Sequence, residues 1–194
     1  IDKIVNSLPD AFQNLAESNW ESAAQGILTT DTRIKLRSKQ ISLDGKPVTI
    51  NGMAKGSGMI KPNMATMLAF IFTDAVISQN DLQQLLSKSV EKSFNRLTVD
   101  GDTSTNDSCM LAATGKSGVE LTDIENDEGR EFSEVLNGIF LELATDIIRD
   151  AEGASKFVTV EVSRGVSEQE CLQVAYCVAE SPSVKTALFA SDPN

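Results

Sequence analysis

A hydroxyl stands where a glycine-rich loop meets an apolar strand. The stretch Met53-Ala54-Lys55-Gly56-Ser57-Gly58-Met59-Ile60-Lys61-Pro62-Asn63-Met64-Ala65 runs into Thr66 and at once into Met67-Leu68-Ala69-Phe70-Ile71-Phe72, a run with the length and composition of a buried strand. Threonine suits a strand start, so pattern alone gives Thr66 a structural role. Composition shifts the balance. The chain contains no histidine, which removes the Ser-His-Asp and Cys-His arrangements and the usual zinc sites from its own residues. A nucleophile here needs another base. One economical choice is a threonine served by its own α-amine, which exists only after the preceding peptide bond is cut. That amine titrates at ~7.7 to 8.0, close enough to neutrality to take the hydroxyl proton. Ala65 is small and follows Gly, Pro and Asn, so the Thr66 hydroxyl has room to turn back onto the Ala65 carbonyl.

Other polar clusters read first as structure. Thr29-Thr30-Asp31-Thr32 has the makings of a turn or helix cap, because its side chains bond nearby backbone groups. Asp100-Gly101-Asp102-Thr103-Ser104-Thr105-Asn106-Asp107-Ser108 places oxygen ligands at alternate positions. A calcium loop starting at Asp100 would need Gly at Thr105 and Glu at Leu111, so that assignment fails. A hydrogen-bonded turn is the better reading.

The net charge of -11, without a basic block, argues against nucleic acid or an anionic membrane surface as the main partner. No stretch approaches the about 20 apolar residues of a membrane span, and no signal-peptide layout opens the chain. Cys109, Cys171 and Cys177 lie in apolar segments without a Cys-x-x-Cys, as buried thiols in a reducing compartment would, so a cytoplasmic location is expected. The start at Ile1 and the end at Asn194, directly after an apolar run, suggest a processed or partial chain.

Strands and helices alternate around these residues. Apolar positions from Phe12 to Leu28 predict one or two short helices broken near Ser18-Asn19. Residues 33–43 alternate as a strand, Asp44-Gly45 is a hairpin turn, and Val48-Thr49-Ile50 begins the return. After the Met67–Phe72 strand, Ser78 caps a helix with Leu82, Leu85, Leu86, Val90 and Phe94 on one face. Cys109–Ala113 is a further strand, 116–128 a polar surface loop, and Phe132 to Ile148 a long amphipathic helix stopped near Gly153. Phe157–Val162 alternates as a strand, Ser167 opens a helix toward Glu180, and Pro182 precedes a final helical turn. The class is α/β or α+β, with one sizeable core.

Four motifs together resemble one family. Met53 to Leu68, the segment Ala23-Ala24-Gln25-Gly26-Ile27-Leu28-Thr29-Thr30-Asp31-Thr32, the segment Asp100 to Asp107, and Glu152-Gly153-Ala154-Ser155-Lys156 are similar, in order and spacing, to the bifunctional glutamate N-acetyltransferases, also called ornithine acetyltransferases. The resemblance spans about Leu8 to Asn194. It implies a layered α/β/β/α sandwich, present here as a partial chain, and a precursor that cleaves itself before a threonine. Residues 1–65 would then end the α-piece and residues 66–194 begin the β-piece of one interleaved fold. Carried over, Thr66 is the nucleophile, Ala65 donates the broken carbonyl, and Thr29, Lys55, Thr66 and Glu152 bind substrate. The implied reaction moves an acetyl group from N-acetylornithine to glutamate through an acetyl-threonine ester, in arginine biosynthesis. It needs no cofactor and no metal, and the residues leave open whether acetyl-CoA also serves as donor. The two pieces stay associated, and a homo-oligomer of such pairs is expected. The family's oxyanion-hole Thr-Gly pair would lie before Ile1, and further substrate-binding residues after Asn194.

Two positions depart from the family pattern. Lys61 replaces a commonly uncharged residue and Ser155 a common threonine, and neither carries an assigned role. Two other readings remain open: an N-terminal-nucleophile aminopeptidase that passes the acyl group to water, and a catalytically silent structural fragment in which Thr66 only begins a strand.

Overall fold

The computed structural model describes residues 1–58, 67–102 and 106–192. In chain order the helices and strands are α1 (Asp2–Gln13), α2 (Trp20–Gly26), β1 (Lys35–Leu43), β2 (Lys46–Lys55), β3 (Leu68–Thr73), β4 (Val76–Ile77), α3 (Gln79–Glu91), β5 (Ser108–Ala113), β6 (Glu120–Leu121), α4 (Asp127–Arg149), α5 (Glu168–Ala179) and α6 (Pro182–Ala190). The α/β class expected from the sequence is what the chain adopts.

The hairpin follows from its turn. Asp44 and Gly45 have φ of 49° and 69°, the left-handed pair that a two-residue turn needs to match strand twist. Leu43 therefore faces Lys46, and the register runs on to Lys35 against Ala54. The main sheet has the order β1-β2-β3-β5, antiparallel except for the parallel β3–β5 pair. That parallel step requires a crossover, and α3 supplies it. Ser78 caps α3 through the amide of Asp81, as its pattern predicts.

Helix α4 closes the core. Its Phe132, Leu136, Ile139, Phe140, Leu143 and Ile147 are fully buried against the sheet, at the helical spacing that places them on one stripe. Each such side chain contributes roughly 1.5 to 3 kcal/mol by leaving water. Gly52 allows the close approach: a Cβ there would lie 3.0 Å from both Ile139 Cγ2 and Leu143 Cδ1. The sheet and helix are thus set so that β2 and α4 end near each other. On the outer rim, Arg37 holds Glu142 at 2.7 Å and also pairs with Asp146.

Three expectations need correction. The 116–128 stretch is not wholly surface loop, because Val119, Leu121 and Ile124 are buried and β6 pairs with β4. A two-residue strand leaves no readable period. The first helix begins at Asp2, well before the first apolar position the reading used, and its Ile4, Val5, Leu8 and Phe12 are exposed. Phe157–Val162 alternates but forms no strand. Alternation offers a face, whereas a strand also needs an edge to pair with. Here the segment instead walls a cleft of about 700 Å³ with α5 and α6.

Candidate active site

The end of β2 gathers three of the predicted site residues, Thr29, Lys55 and Glu152. Lys55, expected in the loop, is the last strand residue because it pairs with Leu68 of β3, and Leu68 pairs in turn with Ser108 of β5. Lys55 is buried at 6% exposure. Its Nζ donates to Thr29 Oγ1 at 3.4 Å. Ser57, buried at 2%, lies 2.6 Å from the Thr30 hydroxyl and donates to Glu152 Oε1 at 3.4 Å. The Glu152 amide donates to the Ser57 carbonyl at 2.7 Å. Thr29, Lys55 and Glu152, far apart in sequence, therefore border one short segment, 55–58. Ala65 and Thr66 lie outside the described residues, as do Lys61 and the 103–105 part of the acidic loop.

The residue after Thr66 is held firmly. The Met67 amide donates to Asp107 Oδ1 at 2.6 Å, and the Ser108 amide donates back to the Met67 carbonyl at 3.1 Å. Burial pushes the Asp107 carboxyl upward from its ordinary value, opposed by the Met67 amide and by the positive charge of Lys55. The acidic loop thus ends in an anchor for β3, a role its pattern did not disclose.

A charge cluster lies beneath the segment. Lys35, with no exposed surface, donates to Asp31 Oδ1 and to Asp150 Oδ2, each at 2.6 Å. Asp31 Oδ1 also accepts the Gly56 amide at 2.7 Å, and Asp150 accepts the Thr32 amide at 3.0 Å and the Thr32 hydroxyl. Burial works to raise both carboxyls, but the Lys35 ammonium and these donors outweigh it, so both are held below their ordinary value. Sequence reading missed Lys35, Ser57 and Asp31. Lys35 follows the strand period as if half-exposed, and Asp31 reads as a turn residue.

Chemically, the segment offers an ammonium at one end, a carboxylate at the other, and hydroxyls between. That set suits an amino acid carrying both a carboxylate and an ammonium. The large cleft beside α5 and α6 touches Glu152 but neither Thr29 nor Lys55, so the polar chemistry lies elsewhere.

The ArgJ family model matches residues 1–194. The chain belongs to the ArgJ family. It is 54% identical over 197 residues to "Arginine biosynthesis bifunctional protein ArgJ" of Pseudomonas fluorescens, covering 100% of this chain and 48% of that protein. A Psychrobacter arcticus relative of the same name is 53% identical, with the same coverage of each chain. Among solved structures, ArgJ from Bacillus halodurans is similar with a TM-score of 0.58 and 41% identity, over 62% of this chain and 57% of that one. The chain spans about half the length of the curated relatives it matches. No helix among the described residues is long and apolar enough to cross a membrane.

Proposed function

We propose that the protein containing this chain transfers an acetyl group from N-acetylornithine to glutamate, through an acetyl ester on Thr66, after cleaving itself between Ala65 and Thr66. The observation that carries this reading is the meeting of Thr29, Lys55 and Glu152 around residues 55–58, at the strand end beside the start of β3. In this reading Lys55 pairs with a substrate carboxylate and Glu152 with the ornithine ammonium. The Thr66 hydroxyl adds to the acetyl carbonyl and passes its proton to the freed α-amine. The C–N bond then breaks and ornithine leaves with that proton. Glutamate's amine attacks the ester, restoring Thr66. Family membership supports the assignment, and the relatives are named as bifunctional proteins of arginine biosynthesis. A second activity of this protein would be acetyl transfer from acetyl-CoA to glutamate. Association of the two cleaved pieces, and of several such pairs, goes with the same reading.

Intact mass and acetyl transfer, both measured on the complete protein and its Thr66→Ala variant, test the proposal. The expected result is two pieces meeting at Ala65/Thr66 in the parent, one uncleaved chain in the variant, and transfer to glutamate only in the parent. An uncleaved parent, or hydrolysis without transfer, would defeat it.

A further inference from the structure

Beneath residues 55–58 lies a charge cluster whose members touch or adjoin in sequence the segments that carry Thr29, Lys55 and Glu152. Asp31 accepts the Thr29 amide at 3.4 Å, the Gly56 amide at 2.7 Å and the Lys35 ammonium at 2.6 Å. One carboxylate thus fixes the turn bearing Thr29 and the backbone just past Lys55. Asp150 caps the end of α4, accepts from Thr32 and Lys35, and leads through Ala151 to Glu152, whose amide is fixed on Ser57. Lys35 also reaches the Arg33 carbonyl at 3.5 Å. We infer that Lys35 is a positioning residue, whose ammonium, by joining Asp31 and Asp150, sets Thr29, Lys55 and Glu152 relative to one another. The inference rests on the proposed substrate roles of those three residues.

Its physical basis is the poor return on buried charge. Lys35 and Asp31 side chains have 0% exposure and Asp150 has 3%, so all three have lost their hydration. Apolar groups of similar volume commonly stabilise a fold as well or better. What apolar groups cannot reproduce is direction: an ammonium between two carboxylates fixes three backbone segments by hydrogen bonds of defined geometry. Removing Lys35 alone would leave two buried carboxylates unpaired and mix a folding defect with a positioning one. Neutralising the cluster together separates them.

The test is therefore the Asp31→Asn/Lys35→Met/Asp150→Asn triple variant of the complete protein, assayed for acetyl transfer beside the parent. The expected result is a folded, self-cleaved protein with KM for N-acetylornithine and for glutamate raised at least about tenfold and kcat changed less than about threefold. A folded triple variant with parental KM values overturns the inference while leaving the proposed function intact. So does a loss confined to kcat. A parent without transfer activity overturns the proposed function and this inference with it. If the triple variant does not fold, Asp31→Asn alone, which keeps the Lys35–Asp150 pair, decides: KM raised about threefold supports the role, and an unchanged KM overturns it.

Discussion

Gly58→Ala places one methyl group against the Glu152 carboxylate, whose atoms are the nearest to it among the described residues. A Cβ built on Gly58 lies 3.2 Å from Glu152 Cδ and 3.3 and 3.4 Å from its two oxygens, tighter than ordinary contact. Gly58 is not among the glycines with positive φ, so alanine is not strained there. The neighbour that must give is the free end of an exposed glutamate, which can retreat by a few tenths of an ångström. Stability should hardly move: the change from Gly gains about 0.4 to 1 kcal/mol through the unfolded chain, and the contact offsets part of it. Function should move more. A hydrogen bond to a charged group contributes about 1.5 to 3 kcal/mol, and displacing the carboxylate forfeits some of that, on the order of 1 kcal/mol or fivefold. Steady-state transfer by the complete protein should show KM for N-acetylornithine raised about fivefold with kcat within twofold, and a urea midpoint near the parent's. In a Glu152→Ala background the Gly58 effect should vanish, because the two changes act through one carboxylate. Unchanged KM in both single variants would refute the placement of the ornithine ammonium on Glu152. A full additive Gly58 effect without Glu152 would refute the steric reasoning.

Two further outcomes follow from groups beneath and beside the site. Asp31 and Asp150 are held below their ordinary carboxyl value in the fold, so the stability they contribute is fully present above the unfolded pKa and is lost as pH falls through the folded one. Urea titrations should show a stability gap between parent and Asp31→Asn that is constant from pH 7 to about 5 and narrows below about pH 4. A gap that widened on acidification would contradict the sign. Cys109 lies in β5, its thiol pushed up to about 12 by burial. A thiol reagent at pH 8 should therefore label exposed Cys177 rapidly and Cys109 only on unfolding, read by peptide mass.

The fold was legible wherever a local rule had one outcome. Asp44-Gly45 admits the left-handed pair a tight hairpin needs, and the strands on either side follow. Ser78 and Ser167 each accept the backbone amide that a helix start leaves free, so those two helices begin where their side-chain chemistry permits. Legibility ended where an element depends on a distant partner. Phe157–Val162 has the alternation of a strand, yet pairing is decided by what lies alongside, and alternation carries no information about that. The β4–β6 pair fails for the opposite reason: the partners are present but too short to show a period.

The site divides along the same physical line. Thr29, Lys55 and Glu152 were singled out through motif order alone, because each taken singly is an ordinary turn hydroxyl, lysine or helix-end carboxylate. Lys35 belongs to no such motif. Its nearer carboxylate is four residues away and its farther one 115 residues away, so nothing local distinguishes it from Lys39, which stays half-exposed at the rim. A buried lysine of this kind is recognisable only after folding, when the desolvation it has suffered becomes visible and demands compensation. Here that compensation comes from two aspartates, one in the turn after Thr29 and one at the C-cap of α4, just before Glu152. Because a strained or partial arrangement would leave charge unpaired in the interior, the cluster tolerates few geometries. That intolerance, passed along short backbone links to residues 29, 55 and 152, is the property the proposed site for a doubly charged substrate requires.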